Sequence, residues 1–158
     1  MKKITLKSLV STMALAALIL TPASLSAQNG ASLEGVWDSQ VTNTDCNGNI
    51  LMEFRSFEAF HQGGTFTGMG NTPNLGLGSA VVLGTWQRTP GMRTFNSTFQ
   101  FFTFNPDGSF AGTVKIDGQI HLAVGGNSYT STSTFGVYDP DGNLVFSGCG
   151  TEVATRLP

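Results

Sequence analysis

Two carboxylates in this 158-residue chain fall where strand alternation puts them on apolar faces. Glu58 is in step with Phe54, Ser56 and Phe60, and Glu152 with Phe146 and Arg156. A carboxylate so placed either stands at a rim in water or lies inside with a partner, because an unpaired buried charge is too costly to keep. Inside a pocket it can serve as a general acid or base, which makes Glu58 and Glu152 the catalytic candidates; the rim or ion-pair reading is the plainer one. The two histidines offer less. His61 sits beside a turn and His121 on the polar side of its strand, so neither a Ser-His-Asp set, a His-built metal site nor a haem axial ligand has much to build on. Asp139-x-Asp141-Gly142-Asn143 matches part of a calcium loop, yet the further ligands and the distal Glu are missing, and a tight turn accounts for it better. No metal and no cofactor is expected.

The chain from Ser32 to Pro158 alternates short runs rich in Val, Thr and aromatics with turn signals, and shows no helical period. Turns are expected at Asn47-Gly48-Asn49, Gln62-Gly63-Gly64, Asn71 to Gly78, Thr89-Pro90-Gly91, Asn105-Pro106-Asp107-Gly108, Gly125-Gly126-Asn127 and Asp139-Pro140-Asp141-Gly142. They divide the chain into eight strands and predict an all-β, antiparallel, up-and-down β-barrel. Alternation then assigns faces. Phe95, Ser97, Phe99 and Phe101 point in on the fifth strand, as do Tyr129, Ser131, Ser133 and Phe135 on the seventh. On the sixth, Phe110, Val114, Ile116, Ile120 and Leu122 share the inner face, unless Asp117-Gly118 is a turn that splits the strand. Phe57, Phe102 and Phe104 face out.

The N-terminus carries Lys2, Lys3 and Lys7, an apolar run from Leu9 to Leu20, and small residues up to Ala27. That pattern predicts a cleaved secretory signal peptide over 1–27 in preference to a retained membrane anchor, leaving one domain over 28–158 with no membrane span expected. Cleavage removes three of the eight basic residues and none of the ten acidic ones. The remaining cations, Arg55, Arg88, Arg93, Lys115 and Arg156, are scattered singly, so nucleic acid is not an expected partner. An exported protein, periplasmic or extracellular, meets oxidising conditions, and Cys46 and Cys149 are expected to pair. In the chain-entropy picture so long a loop is worth roughly 4 to 5 kcal/mol. The pair lacks the Cys-x-x-Cys spacing of a redox site.

Gly35-x-Trp37 on the first strand, hairpin-joined strands thereafter, and Thr155-Arg156-Leu157 on the last resemble the calycin superfamily of lipocalins, fatty-acid-binding proteins and avidins. Phe66-Thr67-Gly68 and Gly84-Thr85-Trp86 are similar to avidins in particular, although no matching biotin site can be placed. The resemblance implies that Trp37 and Arg156 meet at the closed end of the barrel. If the disulfide pair sets the register of the first and last strands, Ser39 faces Arg156, Trp37 lies one diagonal step away, and the disulfide lies outside at the far rim.

The function this predicts is binding of a small, mainly apolar molecule in the interior. Inward Ser39, Ser56, Ser97, Ser131 and Ser133 are small among large aromatics and leave room for it. The ligand-binding candidates are Phe54, Ser56, Ser97, Phe99, Phe101, Tyr129, Ser131 and Ser133, with Leu75 and Leu77 of the long 71–78 loop at the mouth. The competing readings are a barrel plugged by its own twelve phenylalanines, a barrel enzyme of the isomerase or cyclase kind using an inward carboxylate, and an interaction or inhibitor module using Phe57, Phe102 and Phe104.

Overall fold

The turn chemistry sets the strand boundaries. In the 105–109 and 139–143 hairpins an aspartate caps its own loop: Asp107 accepts from the Ser109 amide and hydroxyl, and Asp139 accepts from the Asn143 amide and side chain. Glycines then take the left-handed position that closes each turn, Gly108 at φ 84° and Gly142 at φ 87°. The Asp139 carboxylate is therefore consumed by its own turn, and Asn143 holds it below the usual carboxylate range.

The computed structural model describes residues 32–71, 81–91 and 93–158. The leader at 1–27 and the loop leucines Leu75 and Leu77 lie outside the described residues. Eight strands follow in order: β1 Gly35–Thr44, β2 Ile50–Phe60, β3 Thr65–Gly70, β4 Val81–Arg88, β5 Thr94–Phe104, β6 Phe110–Leu122, β7 Ser128–Tyr138 and β8 Leu144–Arg156. Each pairs antiparallel with the next, and β8 pairs with β1 to close the barrel. There is no helix among the described residues. β6 runs unbroken through Asp117-Gly118, because Gly118 is paired on both sides, with Ser97 and with Ser133.

One end is sealed by apolar side chains. Leu33, Trp37, Phe60, Phe66, Phe95, Ile120, Leu122, Tyr129 and Ala154 form the buried core there, with Trp86 packed against it. Trp37 donates Nε1–H to the Leu33 carbonyl at 3.0 Å and meets Tyr129 edge-on, with ring centroids 4.8 Å apart. The Arg156 guanidinium stacks 4.2 Å over the Trp37 ring and donates to the carbonyls of Ser32, Glu34 and Gly126. It thereby ties β1, β8 and the 123–127 turn together. The partnership of Trp37 and Arg156 implied by the calycin resemblance is present.

The register differs from the one set by the cysteines. Trp37 lies directly opposite Arg156, and Ser39 opposite Ala154 rather than Arg156. The diagonal step belongs to the disulfide instead. β1 ends at Thr44, which is the cross-strand partner of Cys149, and Cys46 reaches the bond from the turn beyond, at φ 66°. The disulfide sits on the outer side of the ladder, since inward Trp37 and Ser39 fix the opposite parity for Cys149 and Thr44.

A second correction concerns Phe110. Three of the hairpins at the open end carry a register shift, between Asn43 and Thr44, between Thr103 and Phe104, and between Val137 and Tyr138. In the β5–β6 hairpin the extra residue reverses the alternation, so Phe110 pairs with outward Phe104 and packs on Phe102 and Phe104 outside the barrel. Gly112, at φ 143°, makes the bulge possible; a Cβ there would collide with the Tyr138 carbonyl.

Candidate ligand cavity

Above the sealed end, inward side chains fail to meet across the barrel. One reason is a set of inward glycines against which aromatic rings pack. A Cβ on Gly70 would touch the Phe54 ring at 3.1 Å, one on Gly84 the Phe99 ring at 2.6 Å, and one on Gly148 the Phe135 ring at 2.5 Å. Each ring thus occupies the space of a missing side chain on the next strand instead of projecting into the lumen. What remains is a cavity of about 360 Å³. That is at the low end of ligand pockets, which run from about 300 to 1,000 Å³.

The structure brings Phe54, Ser56, Ser97, Phe99, Phe101, Ser131 and Ser133 together around this space, along with Glu58 and Glu152. Its upper wall includes Met52, Val137 and Phe146 from the strands of the 45–49 and 139–143 hairpins, so it leads toward the end opposite Trp37 and Arg156. Tyr129 lies below the wall residues, where its hydroxyl meets the floor. His61 and His121 are exposed, and their contacts are with Thr67 and Thr94. Among the described residues no His, Cys, Asp and Glu side chains gather as a metal site.

The floor is where the chemistry lies. Glu58 and Glu152 are inside the barrel, and among the described residues neither is paired with a cation; their common partner is Tyr129. Its hydroxyl is 2.5 Å from Glu58 Oε2 and 2.7 Å from Glu152 Oε1, while Ser131 donates to Glu152 Oε2 at 2.8 Å. Glu58 is 8% exposed. Burial pushes its carboxyl well above the ordinary value of 4.5, Glu152 beside it adds to the rise, and hydrogen bonds from Tyr129 and Ser39 oppose it. Burial and the two carboxylates likewise push the Tyr129 phenol up.

Proton counting then orders the hydrogen bonds. A phenol has one proton and cannot donate to two carboxylates at once. With Glu58 protonated, its carboxyl donates to Tyr129, Tyr129 donates to Glu152, and Ser131 donates to the other oxygen of Glu152. In that protonation state the floor holds two carboxyl groups, one shared acid proton and one negative charge. Such an arrangement can accept hydrogen bonds from a ligand, balance a positive charge, or pass a proton along the chain.

Sequence reasoning had Tyr129, Glu58 and Glu152 on inner faces but did not join them, since alternation gives the face and not the height. It also credited the open space to serines. The signal for the glycines was present in Gly68-Met69-Gly70 and Gly148-Cys149-Gly150, where glycine recurs at two-residue spacing inside strands. Compared with known protein families and with curated proteins, the sequence matches none. The likeness to calycins accordingly rests on the closed eight-stranded antiparallel barrel and the Trp37–Arg156 contact.

Proposed function

We propose that this barrel binds a small, mainly apolar molecule in its interior, and that the chain is exported before it does so. The observation that carries the reading is the cavity of about 360 Å³ whose phenylalanines lie against glycines, leaving an apolar wall above a polar floor. A barrel whose own side chains filled it would have no such space. Export is supported by the leader-like sequence of residues 1–27 and by the Cys46–Cys149 disulfide, which persists in oxidising compartments.

The test is to fill the space. Ser133 is half-buried, lines the cavity and faces Gly150 across the ladder, so a larger side chain at 133 projects into the lumen. Ser133→Phe is expected to abolish the fluorescence rise of the neutral apolar probe N-phenyl-1-naphthylamine while the disulfide and the β-sheet circular dichroism persist. Unchanged probe binding would mean that the probe sits elsewhere.

A second reading, a barrel isomerase or cyclase, is favoured by one specific observation, the Glu58–Tyr129–Glu152 chain. There Glu152 would take a proton from a bound substrate and Glu58, whose carboxyl lines the same cavity, would return its own. Turnover of a retained compound that is lost in Glu152→Gln without loss of its binding would support the enzyme.

A further inference from the structure

Among the described residues, no cation is paired with the carboxyl groups of the cavity floor. None of the groups that act on Glu58 is cationic: they are Glu152, Tyr129 and Ser39. Arg156 is stacked on Trp37 at the sealed end and committed to three carbonyls. Arg55 is on the outer face with Asp38, Lys115 lies over Tyr138, and Arg88 lies over Phe95. A carboxylate in an apolar enclosure is destabilising unless an opposite charge or several donors meet it.

A second and independent feature points the same way. Ser56 is 6% exposed, lies one step along the inner face of β2 from Glu58, and lines the same cavity. Its hydroxyl has no hydrogen-bond partner among the described residues; Ser39 reaches only the Ser56 backbone carbonyl. A buried hydroxyl without a partner costs about 1 to 3 kcal/mol, so such groups in folded proteins are normally satisfied by something.

We propose that the molecule bound in this cavity is an apolar amine, its protonated nitrogen seated on the Glu58–Tyr129–Glu152 floor and its hydrocarbon body between the phenylalanine walls. The inference rests on the reading of the barrel as a binder and adds the head-group chemistry. An ammonium brings three donors and one positive charge. Glu152 and the lone pairs of Ser56 are acceptors for those donors, and the charge offsets the one that the floor carries. An alcohol of the same shape can satisfy Ser56 but leaves the charge unmet. A carboxylic acid would either set a like charge beside it or have to bind protonated. The aromatic rings around the space also favour a cation over a neutral head.

The experiment is competition at neutral pH for N-phenyl-1-naphthylamine bound to the wild-type protein, using n-octylamine, 1-octanol and octanoic acid, which share one apolar chain. Octylamine is expected to displace the probe at a concentration at least tenfold below that of octanol, with octanoic acid the weakest. Glu58→Gln, which keeps the charge on Glu152, should retain the preference, and Glu58→Gln with Glu152→Gln should reduce it to less than twofold. The wild-type series decides the matter even if the double variant does not fold. Equal displacement by octylamine and octanol would overturn the amine inference and leave the binding reading standing. No binding of the probe, of octylamine or of octanol would overturn both.

Discussion

Glu58 is the residue at which burial, charge and function meet. Its folded proton affinity is raised above the ordinary 4.5, so the folded state holds the proton more tightly than the unfolded chain does. The sign follows from that: the contribution is fully present below about pH 4.5 and is lost as pH rises toward the folded value, above which it is constant. While the pH lies between the two values the loss approaches about 1.4 kcal/mol per pH unit. The exposed aspartates act in the opposite sense. Asp38, held down by Arg55, and Asp139, held down by Asn143, favour the folded state above their ordinary range and lose that effect on acidification. Glu58→Gln should therefore remove only the alkaline limb. In urea unfolding at a series of pH values from 5 to 8, the variant's stability relative to wild type is expected to climb with pH, and parallel curves would show that Glu58 titrates normally.

At the scale of strands, the cavity depends on which inward positions lack a side chain. Gly70 pairs with Ser56, and the Phe54 ring lies against it. A β-branched residue at 70 suits a strand better than glycine does, but it pushes Phe54 off the wall and into the lumen. Gly70→Val is expected to weaken probe binding about tenfold, equivalent to about 1.4 kcal/mol, while changing the urea midpoint little. A large loss of stability with intact binding would mean that Phe54 has nowhere to turn and the strand yields instead. The same scale shows what alternation can and cannot reveal. It placed Phe95 through Phe101, the serines and both glutamates on inner faces because a two-residue period leaves one choice per strand. It misplaced Phe110 because a bulge shifts the period by one residue, and the only trace is Gly112 just after it. It misjudged the β1–β8 register because Cys46 lies beyond the strand, where constant pairing no longer applies. The Glu58–Tyr129–Glu152 cluster was out of reach for a third reason, since the stagger of strands around the barrel decides which inward residues share a level.

For the whole molecule, closure depends on one seam, where the last strand meets the first. The seam is fastened at both ends by different chemistry. Toward the open end the Cys46–Cys149 disulfide joins residues 103 apart in sequence, a loop for which the entropic model gives a contribution of about 4.7 kcal/mol. At the sealed end Arg156 stacks on Trp37 and donates to the carbonyls of Ser32, Glu34 and Gly126, which holds the segment before β1 against the turn before β7. Between them runs the ladder from Trp37–Arg156 to Thr44–Cys149. If either fastening remains, the ladder is held from one end and the barrel closes. If both go, β1 and β8 are left with edges that only their own hydrogen bonds keep together, and an open sheet exposes the apolar lumen. The two sites are at opposite ends of the strands and share no contact, so independent effects would add to within about 0.5 kcal/mol. We expect them not to add. Cys46→Ser with Cys149→Ser, and Arg156→Ala, should each lower stability and leave a barrel that still binds the probe, whereas the triple variant should lose more than the combined single effects and bind no probe. Urea unfolding of the set measures the coupling, and strict additivity with probe binding retained would show that the ladder closes the seam unaided.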